Sequence, residues 1–222
     1  RSSITRQPDD VKITTAASSR IYVSLYYSAS KYSFQWYEGE SGDTSSPLIG
    51  ADEYDLDISP KPMGIYRYWV RVSEADDSVD SQTAVVTVQP SDYLDWATHF
   101  GVESDASGES SSGDGMSNLL KYAMGLNPTE RGAGSLTPHE IKEIGGQSYL
   151  TFQFRLRSSL SDVSVYVEAT NDLSDSLSWE TTPVDMGPNV DNGDGTVTYT
   201  YRTRDPVDDG SRFLRLVIEE TP

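Results

Sequence analysis

The sequence predicts a mainly β protein built as two β-sandwich domains, the second carrying two short helices at its entrance. Three observations predict it. Runs in which apolar and polar residues alternate recur about every 8 to 12 residues, separated by turn residues, which is the signature of sandwich strands. Apolar residues recur at helical spacing in only two places, around Tyr93–Phe100 and Leu119–Met124. At 222 residues the chain exceeds an ordinary single domain, so two cores are expected. The turn and cap residues Pro90-Ser91-Asp92 place the boundary, giving domains 1–90 and 91–222 with helices near 92–100 and 116–125.

In the first domain, strands are expected at about Val11–Thr15, Arg20–Ser28, Ser33–Glu38, Tyr54–Ile58, Ile65–Ser73 and Thr83–Val88. Alternation directs Ile21, Val23 and Leu25, then Phe34 and Trp36, then Tyr66, Tyr68, Val70 and Val72 toward one core. The opposite face of the same strands carries Gln35, Tyr37, Arg67, Trp69 and Arg71. Aromatics flanked by arginine suit a sugar ring or a partner surface, so these five form the candidate ligand or partner platform. Two other readings use the same residues: cross-strand pairing, and cover by the neighbouring domain.

The second domain opens on the helix with Tyr93, Leu94, Trp96, Ala97 and Phe100. A connection this short predicts that the two domains touch and hold a fixed angle. Residues 103–113 are Ser, Gly and acid, a surface loop. A helix of about two turns follows, capped by Ser117 or Asn118 and stopped by Gly125 with Asn127-Pro128. Strands are then expected at His139–Ile144, Ser148–Arg157, Val163–Thr170, Thr196–Arg204 and Arg212–Glu219, with Asp191-Asn192-Gly193-Asp194-Gly195 as a hairpin turn.

Read as a twelve-residue calcium loop, Ser110 to Lys121 puts Ser110 and Ser112 at positions one and three, Asp114 at five, Gly115 at six, Asn118 at nine and Lys121 at twelve. The frame is present while most ligands are missing, and position twelve holds a cation. The expectation is a metal-free loop in which the Lys121 ammonium takes the ion's place, tied to Asp114 and the Ser110 and Ser112 hydroxyls.

The formal charge of −18, divided −5 and −13 between the two domains, argues against nucleic acid and anionic membranes. No run of apolar residues is long enough for a membrane span, and no leader opens the chain, whose first residue reads as a cut in a longer polypeptide. With no cysteine there is neither a disulfide nor thiolate chemistry. The Ser, Asp, Gly and Thr enrichment fits a secreted protein. His99 and His139 lack ligand-spaced partners, carboxylate pairs such as Asp52-Glu53 and Asp208-Asp209 are solvated charge, and no nucleophile elbow or phosphate loop occurs. Neither an enzyme nor a cofactor is expected.

Gln35-Trp36-Tyr37 on a third strand and Gly64-Ile65-Tyr66 opening a later one resemble an immunoglobulin-like domain, with its core Trp and tyrosine corner, over most of residues 4–88. Val23 and Tyr68 stand where that family's half-cystines would be, so packing of Trp36 against them must replace a bridge contributing about 2 to 4 kcal/mol. Trp96 and Phe100, the segment Gly113 to Pro128, Tyr149-Leu150-Thr151-Phe152, Val167-Glu168 with Asp172-Leu173 and Trp179, and Arg212-Phe213-Leu214-Arg215-Leu216 resemble a C-terminal module of secreted proteins in Verrucomicrobia and related bacteria. That resemblance covers roughly residues 92–219 and implies a non-catalytic accessory segment of a larger secreted or cell-surface protein. The segment would serve as spacer, attachment or glycan-binding support for an upstream carbohydrate-active enzyme. Its partners would be the upstream domains, with a glycan or a cell-surface protein. The competing expectation is a structural subunit that self-associates or binds another protein through the Tyr37/Trp69 face.

Overall fold

The computed structural model describes residues 4–27, 29–132, 139–207 and 210–221. Ser28, Pro138 and Asp208-Asp209 lie outside the described residues. The chain divides into two compact units, Arg1–Pro90 and Ser91–Pro222. Each is predominantly β.

Unit 1 contains β1 (Ile4–Arg6), β2 (Val11–Thr14), β3 (Ser19–Tyr22), β4 (Ser24–Leu25), β5 (Ser33–Glu38), β6 (Asp55–Ile58), β7 (Gly64–Glu74), β8 (Asp77–Asp80) and β9 (Ala84–Gln89). The larger sheet runs β2-β9-β7-β5, with β8 also paired to β7; the shorter pairs β3-β6 and β1-β4 complete the sandwich. All its pairings are antiparallel except β2 with β9, which run parallel from Val11 opposite Val86 to Thr14 opposite Gln89.

The expected strand Arg20–Ser28 is broken. At Val23 the backbone N–H turns to the carbonyl of Tyr54 at 3.0 Å, and the chain leaves its pairing with β6 to pair with β1. Alternation alone cannot see such a change of partner. β1 and β8 also escaped the pattern, because three- and four-residue polar strands carry too little alternation.

The core of unit 1 brings Ile21, Val23, Phe34, Trp36, Tyr68, Val70, Val72, Val86 and Val88 into one buried cluster. Trp36 is fully enclosed, and its Nε1 donates to the carbonyl of Glu53 at 3.0 Å. Val23 and Tyr68 sit in the same cluster, filling with side-chain volume the place of a covalent bridge. Tyr66 Oη donates to the carbonyl of Pro62 at 2.9 Å, the return bond of a tyrosine corner. This is an immunoglobulin-like sandwich.

Unit 2 opens with α1 (Tyr93–Phe100) and α2 (Asn118–Met124), followed by β10 (His139–Ile144), β11 (Gln147–Arg157), β12 (Val163–Thr170), β13 (Val184–Asp185), β14 (Val190–Asp191), β15 (Thr196–Arg202) and β16 (Phe213–Glu220). One sheet runs β10-β11-β15-β13 with β14 added to β15; the other is β12-β16. β14 and β15 are joined through the Asn192-Gly193 turn read from the sequence, Asp191 lying opposite Val197. The two-residue strands β13 and β14 are additions, too short to have shown a period.

Both helices are capped by the residues their sequence offers. Asp92 accepts from the Asp95 N–H at 2.7 Å, and Ser117 accepts from the Leu120 N–H at 3.2 Å. α2 ends at Gly125, whose φ of 69° is left-handed, with the Leu126 N–H returning to the Lys121 carbonyl at 2.8 Å. A Cβ at Gly125 would also meet Thr196 Cγ2 at 3.1 Å, so glycine is required there for space as well as conformation. Between the sheets, Phe154, Leu156 and Val167 pack with Ala123 and Met124 of α2. Tyr93, Trp96, Phe100 and Tyr122 form an aromatic cluster with centroid separations of 5.5 to 5.7 Å. Among the described residues no helix is long and apolar enough to cross a membrane.

Candidate functional site

The β5/β7 register fixes the first candidate site. Gln35 lies opposite Arg71 and Tyr37 opposite Trp69, so these four and Arg67 share one face, as alternation predicts. Its centre is covered, while Arg67 is exposed and Gln35, Tyr37 and Arg71 are half-buried. Trp69 is fully buried, its ring stacked on Tyr37 at 4.5 Å and 12°, and its Nε1 donates to the carbonyl of Asp43 at 3.2 Å. Residues 39–45 fold back across it. Ser41 binds both Thr83 Oγ1 through its N–H and the Ser81 carbonyl through its hydroxyl, while Glu40 pairs with Arg67 at 2.9 Å.

The remaining platform residues are likewise engaged. Arg71 forms a two-pronged pair with Asp80 at 2.7 and 2.8 Å and lies 5.4 Å over the Trp69 ring. Gln35 donates to the carbonyls of Trp36 and Leu48. Of the five candidate platform residues, the central indole of Trp69 is covered by the chain's own loop. The sequence showed which face Trp69 occupies, but the cover depends on Ser41, some forty residues from its partners Ser81 and Thr83.

The second candidate site is the ammonium of Lys121 and the oxygens around it. Lys121 is fully buried, and its Nζ reaches Asp114 Oδ2 at 3.1 Å, Ser112 Oγ at 2.5 Å, and the carbonyls of Pro128 at 3.2 Å and Glu130 at 2.7 Å. Two of the three expected partners are present. The third, Ser110, instead donates to Asp114 Oδ1 at 3.0 Å and accepts from the Gly115 N–H at 3.1 Å. Carbonyls beyond the helix end replace it, a feature with no sequence signal because every residue has a carbonyl.

Asp114 also accepts from the N–H groups of Gly132 at 2.7 Å and Met116 at 3.0 Å. The Gly132 N–H is the largest influence holding this carboxyl well below the usual carboxylate range, with Met116, Lys121 and Ser112 adding to it against the opposing effect of burial. Asn118, fully buried, donates to the Ala106 carbonyl at 2.8 Å and accepts from the Ser111 N–H at 3.3 Å, stapling the preceding loop to α2. Glycine turns, a shared carboxylate and an enclosed cation thus make a loop organised from within.

A third cluster was not read from the sequence. Asp162 accepts from the Tyr93 N–H at 2.5 Å and from Tyr122 Oη at 2.7 Å, tying α1, α2 and the start of β12 together. Burial, then the bond to Asp162, pushes the Tyr122 hydroxyl far above its ordinary range. Arg157 lies 4.9 Å over the Tyr122 ring. These residues are forty positions apart in places and fall in no motif. His99 is exposed on α1, edge-on to Phe100 at 4.8 Å, and His139 is exposed at the start of β10.

No protein-family model matches the chain, and no curated protein matches it. Among solved structures it is similar to a chimeric titin Z1Z2 functionalized with a KLER peptide from decorin, at 14% identity and TM-score 0.33, covering 40% of this chain and 95% of that one. It is also similar to Sidekick-1 immunoglobulin domains 1-5, at 19% identity and TM-score 0.30, covering 39% of this chain and 19% of that one.

Proposed function

We propose that the chain is a non-catalytic accessory segment of a larger secreted polypeptide, a spacer, attachment or glycan-binding support for a carbohydrate-active enzyme upstream. The observation that carries this reading is the enclosure of Lys121. A group able to serve as acid, base or anion ligand is fully buried and committed to four oxygens of its own loop, so its contribution goes to holding the fold. The reading also rests on the resemblance of residues 92–219 to a C-terminal module of secreted Verrucomicrobial proteins. The closed cover over Trp69 is consistent with a scaffold.

The test is the parent polypeptide, assayed with and without residues 1–222. The expected result is that hydrolysis of small soluble substrates survives the deletion, while action on polymeric or cell-attached substrate falls. Glycan hydrolysis by residues 1–222 alone would overturn the reading. Concentration-dependent assembly in sedimentation, lost in Tyr37→Ala, would favour a self-associating structural subunit instead.

A further inference from the structure

β10 is the outer strand of its sheet: it pairs with β11 on one side, and among the described residues no strand takes the other. Its six residues leave a full-length open edge. At the far end of the same sheet β13 and β14 have two residues each, too short to receive another strand. Along β10 every residue from His139 to Glu143 is exposed. Ile141, 65% exposed, lies opposite Leu150 and so shares the sheet face of Phe152, which packs on the core of unit 2. An apolar side chain on the inner face is left uncovered.

Which backbone groups point outward follows from β11. The Leu150 carbonyl accepts from the Thr203 N–H at 3.0 Å and the Ser148 carbonyl from the Val207 N–H at 2.8 Å, so both residues turn their main chain away from β10. Their partners Ile141 and Glu143, and His139 by alternation, therefore aim N–H and C=O at the open edge. An antiparallel newcomer must meet outward residues with outward residues, so a second copy of β10 can be centred on a residue but not between two. Charge then selects the residue. Centring on Glu140, Lys142 or Glu143 opposes like charges, whereas centring on Ile141 sets Ile141 against Ile141, Glu140 against Lys142 and His139 against Glu143. Within one chain Lys142 Nζ already meets Glu140 Oε1 at 2.7 Å, so this register closes a ring of four alternating charges.

We infer that β10 pairs antiparallel with β10 of a second copy of this chain about Ile141, giving a two-fold dimer in which the two β10-bearing sheets become one. The pairing is self-complementary, as a two-fold interface requires: the same patch serves on both sides. Main-chain hydrogen bonds along the edge supply the attachment, and the charge ring fixes the register. This surface is distinct from the Tyr37/Trp69 face, and the inference goes beyond the accessory reading.

The test is sedimentation equilibrium of the full chain from about 10 µM to about 1 mM, a range suited to a small, transient interface. Salt is held at about 0.15 M, where exposed charges more than about 8 Å apart are largely screened, so that two chains of net charge −18 can approach. A monomer–dimer equilibrium is expected. Lys142→Glu, which opposes acid to acid, and Glu140→Lys, which opposes base to base, should each weaken it by at least about tenfold, and an equimolar mixture of the two variants should associate again as a heterodimer. Ile141→Pro should weaken the dimer as much while leaving far-UV circular dichroism unchanged, because the N–H it removes faces the open edge and not β11. Tyr37→Ala should leave the dimer intact. The mixing experiment decides the matter even where Ile141→Pro melts early. A monomer throughout the range, no association on mixing the two charge variants, undiminished assembly of Ile141→Pro, or loss of assembly in Tyr37→Ala would overturn the inference.

Discussion

Lys121 and Asp114 are joined 3.1 Å apart as a buried ion pair, their side chains 0% and 3% exposed. Removing one partner strands the other charge in the interior, whereas removing both removes the conflict. Lys121→Met is therefore expected to lower the melting temperature of unit 2 by about 5 °C or more, and Lys121→Met with Asp114→Asn to recover part of that loss. Calorimetry of the single and double variants checks it; equal melting of Lys121→Met and the unmodified chain would contradict the pair's role.

The same pair sets an acid limit. The Asp114 carboxyl, held low in the folded chain, binds a proton more readily when unfolded, so its contribution is complete above the ordinary carboxylate pKa of about 3.9 and is lost as pH falls below it. Unfolding monitored from pH 6 to pH 2 should show stability dropping below about pH 4, with a shallower drop in Asp114→Asn.

Charge reversal at the same loop should create an ion site. Lys121→Glu with Ser110→Asp and Ser112→Asp supplies carboxylates at positions one, three and twelve of the frame, and calcium bound only to the folded state adds stability that grows with its concentration. Melting should then rise with calcium and fall with chelator, while the unmodified chain responds to neither. Tight calcium binding by the unmodified chain in calorimetry would show that the ammonium does not hold the position.

Trp69 under its loop behaves as core. Trp69→Ala should destabilise unit 1 by about 3 to 5 kcal/mol in urea unfolding, the range for truncating a buried large aromatic. Ser41→Ala, which frees the cover from Ser81, should instead leave stability nearly unchanged while raising acrylamide quenching of Trp69 fluorescence.

At alkaline pH the Tyr122 hydroxyl governs. Its pKa is raised in the folded chain, so the unfolded chain ionises first, and stability present below about pH 10 is lost as pH rises beyond it. Tyr122→Phe should blunt that loss while costing about 1 to 3 kcal/mol at neutral pH, because Asp162 keeps only the Tyr93 N–H. Denaturant midpoints at pH 7 and pH 11 decide it.

The legible part of this molecule was the part governed by a local period. β5, β10 and β12 run over the residues that alternation marks, and both helix stops lie at glycines the sequence displays. What was illegible depends on partners distant along the chain. Whether Trp69 is open or covered is decided by Ser41 reaching Ser81 and Thr83; how α1, α2 and the start of β12 are joined is decided by Asp162 accepting from Tyr93 and Tyr122. At Lys121 the Asp114 and Ser112 partners were legible, since they lie within nine residues of it. The Pro128 and Glu130 carbonyls were not, because backbone acceptors leave no trace in residue identity.

The parallel pairing of β2 with β9 has a mechanical meaning. Because the two strands run in the same direction, tension drawing the start of β2 and the end of β9 apart slides one past the other, loading the hydrogen bonds from Val11/Val86 to Thr14/Gln89 together. An antiparallel pair pulled from the adjoining ends would open like a zipper, one rung at a time. Unit 1 is thus wired to resist stretching along the polypeptide, and single-molecule extension should show a distinct force peak for it that falls when Ile13→Pro removes a rung from the clamp.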